Sequence, residues 1–209
     1  MCKRSGRYMT FKYTGDLTGG SLMVRESRII SELLLKNADQ ALWKDAIEHQ
    51  NVLQKPTLAS AKRNANTVRK RLEPLDTALL QLVHDGDLEL ATQTCFYAAL
   101  EKNALLLEFI ETEVADAYST GRNQLPSYLW NEFLDDRSHR DASIKSWSES
   151  SCKKMGQVAF RILKEVGMLK DTRQFEVQNM ILRPELEYEL AQRNKDRFLA
   201  CMKLYRVCV

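Results

Sequence analysis

The sequence is poor in the residues that punctuate and staple chains. Its 209 residues include only 8 glycines and 4 prolines, and its 5 cysteines contain no Cys-x-x-Cys pair. So few glycines argue against a glycine-rich α/β nucleotide-binding fold and exclude collagen-like or low-complexity chains. The cysteines (Cys2, Cys95, Cys152, Cys201, Cys208) are odd in number and widely spaced. That pattern makes neither a disulfide framework nor a zinc module, and it fits a reducing cytoplasm. Long apolar runs are missing too. A membrane-spanning helix needs about 20 apolar residues. The longest uncharged stretch, Leu90 to Leu100, has 11 and includes Thr92, Gln93 and Thr94. Lys3, Arg4 and Arg7 are followed by polar residues and not by the apolar core of a signal peptide. The expectation is a soluble, cytoplasmic protein without a membrane partner.

Catalytic signatures are likewise missing. There is no Gly-x-Ser-x-Gly, no Walker loop, no His-Glu-x-x-His and no Gly-x-Gly-x-x-Gly. His139 has acidic company (Asp135, Asp136, Asp141), which reads as a charged loop. Thr18-Gly19-Gly20-Ser21 has backbone N–H groups to offer a phosphate but lacks a following lysine, so a turn into a helix explains it better. Cys95 lies in an apolar helical run and reads as a core residue. The chain is therefore read as non-enzymatic, with no cofactor and no metal.

What is present is helical periodicity. Ile29, Ile30, Leu33 and Leu34 mark one helical face, and Asp39 caps a second short helix carrying Leu42, Trp43 and Ile47. Pro56 and Thr57 open a helix over 57–72 whose narrow apolar stripe is Leu58, Ala61, Ala65, Val68 and Leu72. A segment Leu75 to Val83 follows, and from Asp87 a long helix is expected to run to about Tyr118. Gly121 to Pro126 is the best linker. Beyond it Ser127 is placed to cap a helix with Trp130 and Phe133, and Ser146-x-x-Glu149 is a capping-box pattern heading a helix to Val166, ended by Gly167. A strand signal at Met168-Leu169, a polar turn, and alternation at Phe175-Glu176-Val177 then read as a wing. The expected fold is all-α with a small β wing. It has a helical N-terminal domain over 1–120 and a winged-helix-like C-terminal domain over 121–209.

The net charge of +3 hides a sorting of charge into blocks. Lys55 to Leu72 contains Lys55, Lys62, Arg63, Arg69, Lys70 and Arg71 and no acid. Opposite the apolar stripe lie Arg63, Asn66, Thr67 and Lys70, with Lys62, Arg69 and Arg71 flanking. Long cations suit phosphates, while Asn and Arg suit adenine and guanine edges. The helix after Ser146 turns Ser150, Lys153, Gln157 and Lys164 outward, with Lys154 and Arg161 at the margin and Lys170 and Arg173 in the wing. Ordinary solvated faces on core-packed helices would show the same pattern, since Lys and Arg are good helix formers. By contrast, Asp85 to Asp116 holds Asp85, Asp87, Glu89, Glu101, Glu108, Glu111, Glu113 and Asp116 against Lys102 alone. Such a block cannot lie on phosphate. It faces away, docks a basic partner, or docks the protein's own basic blocks; an ordinary solvated helix with Leu100, Leu105, Leu107 and Ile110 buried accounts for it better. Arg193, Lys195, Arg197, Lys203 and Arg206 near the C-terminus form a last basic group, for the same nucleic-acid face or for plain surface.

The segment Phe11-Lys-Tyr-Thr-Gly-Asp-Leu-Thr-Gly-Gly-Ser-Leu22, with Glu26-Ser-Arg-Ile-Ile and Glu32-Leu-Leu-Leu35, resembles the N-terminal signature of the BrxA family. Trp147-Ser-Glu-Ser-Ser151 and Leu163-Lys-Glu-Val-Gly-Met-Leu169 are similar to that family's C-terminal half. The resemblance implies an accessory component of a bacterial BREX (bacteriophage exclusion) system. Such a component is expected to be mostly helical, non-catalytic and bound to double-stranded DNA, beside a DNA methyltransferase and an ATPase. A likeness of the family to an antitermination factor leaves RNA binding as an alternative. A protein–protein scaffold using the acidic helix is another.

Overall fold

A computed structural model describes residues 12–171 and 173–205, and these are mostly helical. Phe11 of the family-like signature, Cys2, Cys208 and Arg206 lie outside the described residues. After a single 3-10 turn at Asp16–Gly19 come α1 (Val24–Leu35), α2 (Gln40–Lys44), α3 (Leu58–Leu72), α4 (Thr77–Asp85) and α5 (Leu88–Lys102). Then follow α6 (Ala104–Phe109), α7 (Ala115–Ser119), α8 (Leu129–Ser138), α9 (Glu149–Glu165), α10 (Pro184–Gln192) and α11 (Asp196–Met202).

Polar side chains start most of these helices. Asp39, Thr57, Asp76 and Asp87 each accept from the backbone N–H three residues on, supplying one of the donors a helix start leaves unpaired. Thr57 and Ser60 complete a capping box for α3. Pro184 opens α10 at a position where its missing N–H costs nothing. Two starts differ from the sequence reading. The cap of α9 is Ser148, whose hydroxyl accepts from Ser151 N at 3.2 Å, and not Ser146, which lies in a short 3-10 turn. Tyr128, with no side-chain cap, precedes α8, while Ser127 offers its carbonyl to Trp130 N.

The long helix expected over 87–118 is interrupted. At Asn103 the backbone turns extended, and the side chain accepts from Leu106 N at 2.9 Å, ending α5 and starting α6. A π-helical turn at Ile110–Val114 then joins α6 to α7. Periodicity alone misses such a break because the apolar residues continue through it; Asn103 was the available signal.

α5 is the centre of the packing. Every residue from Leu90 to Leu100 is buried, and α1, α3, α4, α6, α10 and α11 all pack against it. Its polar residues are satisfied: Thr92 and Thr94 donate to the carbonyls four residues back, at 2.6 and 2.8 Å. Gln93 donates to Ile181 O and accepts from Arg183 N, at 2.9 and 2.8 Å. That pair of bonds holds the extended stretch leading into α10. The uncharged run is thus a core helix, and among the described residues no helix is long and apolar enough to cross a membrane.

Phe109 of α6 joins α6 to α8 and α9. Its ring meets Trp130, Phe133 and Phe160 edge-on, with centroids at 5.0, 5.3 and 5.9 Å. One apolar core therefore runs from Tyr13 to Met202. Where alternation predicts a wing, there are two isolated antiparallel bridges, Gln124 with Glu176 and Leu169 with Val177. They place 175–177 between 123–125 and 168–170. The stretch with a linker's composition is held there by Leu125 N to Phe175 O and Val177 N to Asn123 O, both 2.9 Å.

Two expectations follow. A methyl group at Gly156 would lie 2.7 Å from Trp130 Cδ1. That ring cannot yield, being buried and donating from Nε1 to Cys152 O at 3.0 Å. Gly156→Ala should cost about 1–3 kcal/mol by overpacking, measured by denaturant unfolding. Asp76 caps α4 and is ion-paired with Arg193 of the α10–α11 connection at 2.6 Å, which lowers its pKa. Asp76→Ala should cost about 1 kcal/mol near neutrality. A lowered folded pKa gives stability that is present above the ordinary aspartate range and is lost as acid protonates the folded carboxylate. The melting-temperature gap between Asp76→Ala and wild type should hold above about pH 5 and close below about pH 4.

Candidate nucleic-acid interface

α3 buries Ala61, Ala65, Val68 and Leu72 as its stripe predicts, although Leu58 at its start is half exposed. Opposite, Arg63, Asn66 and Lys70 are exposed. Thr67 is half-buried and donates to Arg63 O at 2.9 Å. The flanking cations separate from this face. Lys62 pairs with Glu48 at 3.0 Å, and Lys55 pairs with Glu26 at 2.6 Å. Arg69 pairs with Glu73 at 3.2 Å, and its guanidinium lies 4.5 Å from the centre of the Trp43 ring. Arg71 is buried and donates to Gly20 O at 2.7 Å and Ser21 O at 2.5 Å.

α9 buries Met155, Val158, Ala159, Ile162 and Leu163. Lys153, Lys154, Gln157, Arg161 and Lys164 are exposed on its other side. Lys153, Gln157 and Arg161 line a groove of about 800 Å³ against α8, with Trp130, Phe160 and Phe175 also on its walls. Phe175 has a φ of 55°, a strained conformation for an aromatic residue, and packs edge-on against Phe160 at 4.9 Å. Lys164 faces Arg173 across a second cleft. Nearby, Asp171 accepts the backbone N–H groups of Arg173 and Gln174, which holds its carboxyl below the usual range. Lys170 is neutralised by Glu176 at 3.1 Å, and the Ser150 hydroxyl is 3.0 Å from that of Ser148 at the helix start.

The cations that meet the acidic block differ from those on the outward faces of α3 and α9. Arg183, Lys195, Arg197, Arg122 and Arg137 pair with Asp87, Glu101, Glu111, Asp116 and Glu108 at 2.5 to 3.1 Å. The acidic block is therefore docked by the protein's own basic residues, Lys195 and Arg197 of the C-terminal basic group among them, while Arg193 and Lys203 of that group pair outside the block, with Asp76 and Glu187. Among the described residues, Arg63, Lys70, Lys153, Lys154, Arg161, Lys164 and Arg173 have no carboxylate in ion-pairing range. The acids near His139 are engaged in packing. Asp141 accepts from Tyr13 N and Ser143 N at 2.8 and 2.9 Å, and Asp136 pairs with Arg137.

The turn at Asp16–Gly19 packs on both basic helices. Leu22 N donates to Glu165 Oε2 of α9 at 3.0 Å, while Arg71 of α3 holds the two carbonyls just before it. A cleft of about 370 Å³ opens between this turn and Arg63, Asn66, Thr67 and Lys70. Arg71, which flanks this face in the sequence, and Lys102 also line it. Lys102 is the one that periodicity does not bring here, because it is distant in sequence; a lone base within the acidic stretch was the only hint.

The BrxA family profile matches residues 11–194. The chain belongs to the BrxA family. It is 34% identical over 193 residues to the BREX protein BrxA of Paramagnetospirillum magneticum, covering 92% of this chain and 97% of that one. Identity to the BREX protein BrxA of Escherichia coli O9:H4 is 32%, over 91% of this chain and 90% of that protein. A crystal structure of an uncharacterized protein from Magnetospirillum magneticum superposes with a TM-score of 0.86 at 33% identity, covering 93% of this chain and all of that one. BrxA proteins are components of BREX phage-defence systems, so the family-like segments seen in the sequence belong to that family in fact.

Within the family's signature, Gly19 leaves no room for a side chain. A Cβ there would lie 2.7 Å from Thr67 Cγ2 and 3.0 Å from its hydroxyl. Gly19→Ala should destabilise by about 1–3 kcal/mol, and Thr67→Ala in the same chain should recover most of the loss. Thermal unfolding of the single and double variants checks this; no recovery would mean that the turn, and not the contact, requires glycine.

Proposed function

We propose that this protein is a non-catalytic, double-stranded DNA-binding component of a BREX system, working in the cytoplasm beside that system's methyltransferase and ATPase. The carrying observation is the division of cations. Those over the acidic block are neutralised internally, while those on the outward faces of α3 and α9 have no carboxylate partner. Unpaired cations gathered on helix faces project a field that phosphates neutralise with release of counterions. In this reading α9 serves as the recognition helix and the bridged turn over 168–178 as its wing. Lys164 and Arg173 flank the backbone there, and Lys170, already paired, contributes less. The 1–120 and 121–209 parts are two lobes sharing one core, a division that limited proteolysis near Gly121 tests.

Two observations favour this reading over its rivals. A scaffold docking basic partners on the acidic helices would first have to displace the protein's own arginines and lysines. Sequence-specific RNA binding rests on aromatic faces that stack unpaired bases, and the strongly exposed aromatics, Tyr128, Tyr188 and Tyr205, lie off both basic helices.

Fluorescence anisotropy with labelled duplex DNA, and with RNA in parallel, tests the proposal. Duplex affinity should fall steeply with salt, about 0.9 log units per tenfold salt for each phosphate neutralised. Arg63→Glu with Lys70→Glu, and Lys153→Glu with Lys164→Glu, should each weaken binding at least about tenfold in a folded protein. Absence of duplex binding at low salt, or full affinity in both double variants, overturns it.

A further inference from the structure

The cleft between the Asp16–Gly19 turn and α3 has the composition of an anion site. Four cations reach it from two elements: Arg63, Lys70 and Arg71 from α3, and Lys102 from the end of α5. Asp16 is the only carboxylate on its wall, and among the described residues none of the four cations is ion-paired. Four like charges around one concavity of about 370 Å³, against the single carboxylate of Asp16, leave it net positive and favour a bound anion.

Arg71 makes the arrangement more than a set of surface lysines. It is 8% exposed, and its guanidinium is fixed by the carbonyls of Gly20 and Ser21. Those are neutral acceptors, so a permanently charged group is held at the cleft wall without a direct ion pair, with Asp16 and Glu165 offsetting its charge only from a distance. The hydroxyl protons of Thr18 and Thr67 are committed to Gly15 O and Arg63 O, at 3.0 and 2.9 Å. The donors left to an incoming group are the cations and the Asn66 amide. Several cationic donors, forked guanidinium groups among them, match a tetrahedral oxyanion better than a planar carboxylate. The volume holds more than one phosphate. The lysine missing after the glycines of this turn is thus supplied by the fold, from α3 and α5.

We infer that this cleft binds a phosphoryl group, as a phosphodiester or a diphosphate, with Arg63, Lys70 and Lys102 as ligands and Arg71 fixing the field behind them. The site stands without the duplex-binding proposal, because a duplex backbone and a free phosphorylated ligand offer it the same chemistry.

The test uses the full chain and sodium pyrophosphate as probe, by calorimetry and thermal shift against chloride of equal ionic strength. Wild type should bind and be stabilised. Lys102→Met should weaken binding at least tenfold, whereas Lys145→Met, at an exposed and unpaired lysine off both basic helices, should not. Failure of pyrophosphate to exceed chloride, or equal binding by Lys102→Met and wild type, overturns the site. Duplex titrations then separate the sources. Competition by pyrophosphate together with weaker duplex binding by Lys102→Met assigns the site to a backbone phosphate. Pyrophosphate binding that leaves duplex binding unchanged assigns it to a free phosphorylated ligand. Duplex binding without any pyrophosphate effect overturns this site and leaves the DNA reading standing; pyrophosphate binding without duplex binding does the reverse.

Discussion

A buried guanidinium holds together the part of the molecule that matters most for function. Arg71 leaves the basic face of α3, turns inward, and grips the carbonyls of Gly20 and Ser21. The next backbone N–H, of Leu22, reaches Glu165 at the end of α9. One short turn is thereby stitched to both basic helices, and Leu17 and Leu22 are buried beneath it. Removing either charged partner would leave buried polar groups without bonds, which costs more than the bond itself contributes. The glycines of the signature serve this joint. Gly19 lets α3 approach at Thr67, and Gly20, at a φ of 136°, takes a conformation that side chains avoid.

The second organising constraint is electrostatic. A helix-rich core with carboxylates along the stretch from α5 to α7 needs its charge balanced, and the start of α11 brings Lys195 and Arg197 to it, while Arg193 ties the end of α10 to the Asp76 cap of α4. Individually such exposed pairs contribute little. Collectively they settle which cations remain available. What is left on α3 and α9 is a positive surface that no internal group neutralises.

Much of this was legible in the sequence, because it is local. Asp39, Thr57, Asp76 and Asp87 announce helix starts, the stripes of α3 and α9 give their buried faces, and Gly167, at a φ of 86°, ends the last turn of α9. What stayed hidden depends on contacts distant in sequence. Arg71 and Lys62 look alike on a helical wheel, yet one is buried against a turn 50 residues earlier in the chain and the other pairs with Glu48. Lys102 reads as a stray base until α5 is seen to end beside α3. The break at Asn103 and the shift of the α9 cap to Ser148 are choices among nearby polar residues, which periodicity does not arbitrate.

Paired and unpaired cations have different work in this molecule. Two neutralised variants test it most directly, Lys195→Gln with Arg197→Gln and Lys153→Gln with Lys164→Gln, each measured for melting temperature and for duplex affinity at one fixed salt concentration. The account predicts that the first pair lowers the melting temperature and leaves duplex affinity unchanged. The second pair should lower duplex affinity and leave the melting temperature unchanged. Equal loss of duplex affinity in both variants, or in neither, would contradict it.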